Sequence, residues 1–192
     1  MNQPLPPTRG LVCFDLDGTL LRGQTACELL AEPLGHRREM EQLESSNPTS
    51  EQQIVEARAE MARWYDGVSL AELKRYCEAA VWAPGAKEAV AYLQHRNIHV
   101  AIASITWKFA VAWFTEKLDI TSFLGTDLLP SGAIEHVWGR IKGTWLLQLA
   151  DDLGVEASRI AAVGDSSGDT DLLKAAALRF FVGSEPPDSV PG

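Results

Sequence analysis

Apolar positions along the chain follow two different periods. Leu11-Val12-Cys13-Phe14, Ile98 to Ala103 and Arg159 to Val163 are short, mostly unbroken apolar runs that end at polar residues, the pattern of strands covered on both faces. Elsewhere the apolar residues recur every three or four places. Cys27, Leu30, Ala31 and Leu34 form one stripe, Ile54, Ala57 and Met61 with Trp64 or Tyr65 a second, and Trp145, Leu146, Leu149 and Leu153 a third.

These stripes predict helices from Thr25 to a stop at Gly35, over Ile54 to Tyr65 and behind Lys142-Gly143. Further helices are predicted from Ser69, as N-cap with Glu72 three places on, to Ala80, and over Ala86 to Arg96, Lys108 to Leu118 and Leu172 to Ala177. The polar stretch Arg37 to Ser50 reads as a connection whose Ser45-Ser46-Asn47-Pro48-Thr49-Ser50 is the chain's best loop signal, with Ser50 and Gln53 capping the next helix. Phe123 to Trp138 reads as a hairpin beyond the main sheet, turning at Ser131-Gly132, and Leu178 to Val182 as a last strand. A Pro-rich leader covers residues 1–9 and a Pro-rich tail follows the last strand.

Strands alternating with helices predict a doubly wound, Rossmann-like α/β fold with a mostly parallel sheet. Residues 1–22 and 83–192 would form its core, and residues 23–82 a small helical insert.

Composition narrows the partners. The 192 residues are 46% hydrophobic and 22% charged, enough for one core and an accessory unit. With 17 basic against 26 acidic residues the net charge is −9, which argues against nucleic acid and against an anionic membrane surface. Cys13, Cys27 and Cys77 are odd in number and lie in apolar or helical settings, so they read as reduced packing residues of a cytoplasmic protein. No apolar run approaches the ~18 residues of a membrane span.

Three strands end in groups that carry chemistry: Asp15 and Asp17, Ser104, and Asp165 with Asp169. Strand ends in such a sheet converge on one crevice. Two carboxylates one residue apart repel and lose hydration, and a hard divalent cation relieves both. Taken singly each signal is bland: Asp165 to Asp169 reads as a capped turn, Lys142 as a surface lysine, Ser104 as a strand-end hydroxyl. The four histidines are scattered and form no ligand set, and Asp171 reads as a helix-start charge. Trp64, Trp82, Trp113 and Trp145 sit at packing positions, whereas Trp107 lies nearer the crevice, within reach of a substrate.

Asp15-x-Asp17-Gly18-Thr19-Leu20 resembles the first motif of the haloacid dehalogenase superfamily. Ser104, Lys142-Gly143-x-x-Leu146 and Gly164-Asp165-x-x-x-Asp169 resemble the other three in order, in the manner of the phosphoserine-phosphatase branch. Lys108 is a rival for the lysine. The resemblance implies a Mg2+-dependent phosphatase for a small phosphorylated metabolite. Asp15 would be the nucleophile, Asp17 the general acid and base, and Ser104 and Lys142 the phosphoryl-binding groups. Asp15, Asp165 and the Asp17 backbone carbonyl would hold Mg2+, with Asp169 holding a metal-bound water or orienting the site. The insert would be the family's helical C1 cap.

Two other readings stay open, a phosphotransferase and a non-catalytic protein that binds a phospho-ligand or another protein. The branch's acidic residue nine places after the nucleophile is here Gln24, its Gly-Gly step after the serine is Ile105-Thr106, and its cap arginine has only Arg58 and Arg63 nearby. Poor use of O-phosphoserine follows. The chain is expected to be a monomer or a homodimer covering the sheet edge left by its last strand.

Overall fold

A computed structural model describes residues 8–46 and 50–184. The predicted leader and tail, and the Asn47-Pro48-Thr49 centre of the loop signal, lie wholly or largely outside them. Six strands form one sheet in the order β6-β5-β4-β1-β7-β8. They are β1 (Gly10–Phe14), β4 (Ile98–Trp107), β5 (Ser122–Leu128), β6 (Ile134–Glu135), β7 (Ile160–Gly164) and β8 (Leu178–Phe181). All neighbours are parallel except β5 and β6. The doubly wound, mostly parallel α/β expectation is met.

Beta-branched and apolar residues make these strands because both faces are covered. Leu11 and Cys13 on β1 join Ala101, Ala103, Ile160 and Ala162 in an apolar cluster under helices α7 (Gly139–Asp152) and α8 (Thr170–Ala175). Val100 and Ile102 belong to a second cluster on the opposite face, under α5 (Ala86–His95) and α6 (Lys108–Lys117). Chain order runs from β1 outward to β4 and β5 on one side and to β7 and β8 on the other. The carboxyl end of β1 therefore opens at the switch point where such sheets bind ligands.

Between β1 and β4 the chain forms a two-stranded ribbon, β2 (Leu21–Arg22) against β3 (Val81–Trp82), that brackets four helices. These are α1 (Ala26–Ala31), α2 (Arg37–Ser45), α3 (Glu51–Trp64) and α4 (Leu70–Tyr76). Thr25 and Ser50 cap α1 and α3 through reciprocal bonds with Glu28 and Gln53. The insert's Leu29, Leu30, Met40, Met61, Tyr65 and Leu73 share one apolar cluster with Val90, Trp107, Val111 and Phe114. Insert and sheet layer are thus packed as one body on that face.

The structure corrects four local expectations. Residues 37–45 form helix α2 and not a connection: Met40 and Leu43 supply its sparse apolar contacts, and Arg37 bonds both Glu32 and Glu41. The hairpin's first strand, β5, lies inside the main sheet beside β4, and only β6 turns back on it. Helix α7 begins at Gly139, so Lys142 sits in its first turn. Strand β4 continues past Ser104 to Trp107, with an irregularity between Ala103 and Trp107: four steps on β4 match two on β5. Such a bulge re-aims side chains.

Candidate active site

Asp15 follows the last residue of β1, and its N–H donates to Val163 O on β7 at 2.9 Å. Strand alternation puts its side chain on the same face as Leu11 and Cys13, the face covered by α7. There Lys142 Nζ donates to Asp15 Oδ1 at 2.6 Å and to Asp169 Oδ1 at 2.7 Å. Lys142 is 2% exposed and Asp169 fully buried.

The other Asp169 oxygen accepts the backbone N–H groups of Asp165 (3.1 Å) and Ser166 (3.2 Å) and the Ser166 hydroxyl. Asp169 is therefore a strut. It holds the β7–α8 turn closed and presents Lys142 to Asp15. Asp165 Oδ1 accepts the Thr19 hydroxyl at 3.2 Å across the mouth of the sheet.

Alternation alone would send Asp17 the same way as Asp15. It does not, because residues 16–20 leave the strand in a wound turn with Asp17 extended and Gly18 at φ 78°. Asp17 Oδ1 instead accepts the Ala26 N–H at 2.7 Å, at the start of insert helix α1. The two aspartates are split between the sheet layer and the insert. Burial pushes the Asp17 carboxyl up to about 6, with the Ala26 bond and Lys142 opposing it. Burial also raises Asp15, against the pull of the Lys142 ammonium; Lys142 is itself held protonated by the two carboxylates it faces.

Asp15, Asp165 and Asp169 each offer a carboxylate oxygen, all within 4.8 Å of one another. Three carboxylates against one lysine leave an excess of negative charge, and oxygen-only ligands suit a hard divalent cation. The walls are drawn tightly around this point: a Cβ at Gly18 would overlap the Asp165 carboxylate, and one at Gly164 would lie 2.6 Å from Asp169 Cβ. The residues present fit such a cation.

Ser104 is 1% exposed and lies in the β4 bulge, where its hydroxyl accepts the Thr106 N–H at 3.1 Å. Lys108, the rival lysine, is removed from the cluster by its ion pair with Asp127 at 2.6 Å. Gln24 bonds Glu32 at 3.0 Å on the exposed side of the insert. Trp107 is buried against Tyr65 and Phe109. The three cysteines are free thiols, all pushed up by burial. No helix among the described residues is long and apolar enough to cross a membrane.

A tie between insert and sheet was not legible in the sequence. Arg58 on α3 donates to Ile105 O at 3.0 Å and Val137 O at 2.9 Å, and its Nη1 lies 3.0 Å from His136 Nδ1. Thr126 on β5 completes it, donating to Ile105 O and accepting the Val137 N–H. One buried guanidinium thus fixes both the bulge holding Ser104 and the loop leading to Lys142. Only the presence of arginines in this part of the insert pointed toward it.

The three strand ends, the wound turn after β1 and the lysine on α7 define a class, and comparison with known proteins agrees. The sequence model of the haloacid dehalogenase-like hydrolases matches residues 12–174. The chain belongs to this family. A phosphoserine phosphatase of Idiomarina loihiensis is 24% identical over 190 residues, spanning 92% of this chain and 83% of that protein. Among solved structures, a phospho-aspartyl intermediate analogue of phosphoserine phosphatase superposes with a TM-score of 0.74 at 22% identity, over 90% of this chain and 85% of the other. A substrate-bound phosphoserine phosphatase complex gives 0.75 at 21% identity, over 91% and 86%. These structures share the fold.

Proposed function

We propose that this chain is a Mg2+-dependent phosphomonoesterase working through a phosphoaspartate at Asp15. The observation that carries the reading is Lys142 held between Asp15 and Asp169 at 2.6 and 2.7 Å, with Asp165 in the same carboxylate group. A lone surface lysine has no reason to be buried there. An anionic nucleophile that must meet an anionic phosphate has good reason to be flanked by a fixed cation.

In this reading Asp15 attacks phosphorus, the P–O bond to the alcohol breaks, and Asp17 gives the leaving oxygen its proton. Water then attacks the phosphoaspartate, Asp17 takes the water's proton, and inorganic phosphate leaves with Asp15 restored. Burial favours the protonated form of the Asp17 carboxyl, the form a general acid needs. Asp15 and Asp165 would hold Mg2+, with the Asp17 backbone carbonyl as a further ligand and Asp169 orienting the site. The metal supplies charge neutralisation for the approaching phosphate. Lys142 and Ser104 bind phosphoryl oxygens.

Residues 23–82 act as the cap and residues 1–22 and 83–192 as the core, with Asp17 to Ala26 and Arg58 to Ile105 and Val137 as the links between them. The substrate is a small phosphorylated metabolite. The test is phosphate release from a broad ester panel with Mg2+ and with EDTA, for wild type and Asp15→Asn. Turnover that needs the metal and disappears in the variant supports the reading; turnover surviving Asp15→Asn sinks it.

A further inference from the structure

Arg58 is 6% exposed, and among the described residues its hydrogen bonds run to no carboxylate: the partners are two main-chain carbonyls and an imidazole. A buried cation ordinarily has an anion beside it, which invites the reading of Arg58 as the receptor for a carboxylate on the substrate. Its donors point the other way. A guanidinium grips a carboxylate through two parallel N–H groups, on an edge where Nη2 is joined by Nη1 or by Nε. Here Nη2 has two hydrogens and two partners, Ile105 O at 3.0 Å and Val137 O at 2.9 Å, while Nη1 faces His136. Neither edge keeps a free fork.

Both carbonyls belong to segments that carry groups of the site. Ile105 directly follows Ser104 in the β4 bulge, and its carbonyl also accepts Thr126 Oγ1 at 2.8 Å, so both of its lone pairs are bonded. The next N–H, that of Thr106, returns to Ser104 Oγ. Val137 precedes Trp138, the N-cap of α7, whose first turn carries Lys142. Its N–H donates to Thr126 Oγ1 at 3.1 Å. The Trp138 ring is flanked by the Arg58 guanidinium at 5.2 Å and by that of Arg140 at 5.5 Å, and Arg140 pairs with Glu51 at the start of α3. Helix α3 thus grips the start of α7 through both Glu51 and Arg58, and the bulge through Arg58.

We infer that Arg58 is a positioning residue for the reaction: it holds the Ser104 bulge and the start of the Lys142 helix in register with each other, and it is not a receptor for the alcohol portion of the substrate. The inference rests on the phosphomonoesterase reading above, which gives Ser104 and Lys142 the phosphoryl oxygens. Two consequences follow. The phosphoryl-binding half of the site is complete only with the insert docked, because the clamp comes from the insert. A carboxylate on the alcohol portion gains nothing from Arg58, so esters with and without one depend on this residue equally.

The experiment compares phosphoglycolate with ethyl phosphate, which lacks the carboxylate, in wild type, Arg58→Ala and Thr126→Val, each at a temperature where circular dichroism shows it folded. Arg58→Ala is expected to lower kcat/KM for both esters by the same factor, on the order of 10²-fold, the cost of displacing a positioned group by about 1 Å. Guanidinium ion at a non-denaturing concentration should restore part of that activity on both esters, and methylammonium should not. Thr126→Val removes the other donor to Ile105 O without changing charge; it should lower both esters together, and it carries the test if Arg58→Ala does not fold. Amide hydrogen exchange at Thr106 and Val137 should rise in both variants more than along β7. A loss confined to phosphoglycolate overturns the inference and makes Arg58 a carboxylate receptor. Unchanged kcat/KM in both variants, or exchange rising evenly over the whole sheet, also overturns it, the latter by reducing Arg58 to a contribution to stability. If wild type hydrolyses neither ester, the exchange measurement decides alone, on the same two outcomes. Failure on the whole ester panel as well is a failure of the phosphomonoesterase reading and not of the clamp.

Discussion

Lys142 Nζ stands 2.6 Å from Asp15 Oδ1 in a site from which both residues exclude nearly all water. A second carboxylate, Asp169, is 2.7 Å away on the other side. Removing the ammonium leaves two buried acids facing each other, an arrangement that costs about 3–5 kcal/mol when a buried pair is broken. Lys142→Met is expected to lose roughly that much stability in urea unfolding without metal and to recover part of it in Mg2+. Activity on every ester should fall together, because in the proposed mechanism Lys142 binds the phosphoryl group common to all of them.

Gly18 tests the metal site by geometry. Its φ of 78° disfavours any side chain, and a Cβ there would overlap the Asp165 carboxylate. Gly67 has nearly the same φ, 77°, but a Cβ there would meet nothing within 4 Å. Gly67→Ala should therefore cost only the left-handed backbone strain, about 1–2 kcal/mol. Gly18→Ala should cost more and also abolish the rise in melting temperature that Mg2+ is expected to give wild type. Equal Mg2+-induced shifts in the two variants would show that Asp165 is not where the cation binds.

Gln24 bears on substrate choice. A neutral amide cannot neutralise an ammonium ion, and here it is already bonded to Glu32 on the exposed side of the insert. O-phosphoserine is expected to show a lower kcat/KM than the best non-amino ester in a broad panel. A kcat/KM for phosphoserine above that of every other ester would place the ammonium-binding group elsewhere.

How far the sequence reached depends on the kind of signal each feature carries. The sheet was readable because β1, β4 and β7 are covered on both faces and so are almost purely apolar. Asp15, Asp165 and Asp169 were readable because they sit in short motifs that follow apolar strands, and the structure brings all three together with Lys142. Helix α2 was missed because only Met40 is buried, so its stripe is too thin to distinguish from a polar loop. The divergence of Asp15 and Asp17 was not readable from alternation, since it arises in the turn that Gly18 permits. The Arg58–Ile105–Thr126–Val137 network spans four segments, and nothing local marks its members.

That network gives a pH prediction. Arg58 Nη1 can donate to His136 Nδ1 only while the imidazole is neutral, and burial together with the guanidinium lowers the His136 pKa below 6.5. The folded protein therefore binds fewer protons at this residue than the unfolded chain. By linkage, stability then rises with pH across the interval between the folded and unfolded values, so it falls as the pH drops below about 6.5. Asp15 and Asp17 are raised by burial and act in the opposite sense, as acids that take up protons more readily when folded. His99 is lowered like His136, but it faces Ser122 and is common to both proteins compared. The difference in melting temperature between wild type and His136→Gln isolates the one group. His136→Gln keeps a side-chain acceptor for Arg58 and does not titrate. Wild type should lose more stability than the variant between about pH 7 and 5.5, while the two run parallel above about pH 7.5. Parallel curves over the whole range would mean that Arg58 is held by the Ile105 and Val137 carbonyls alone.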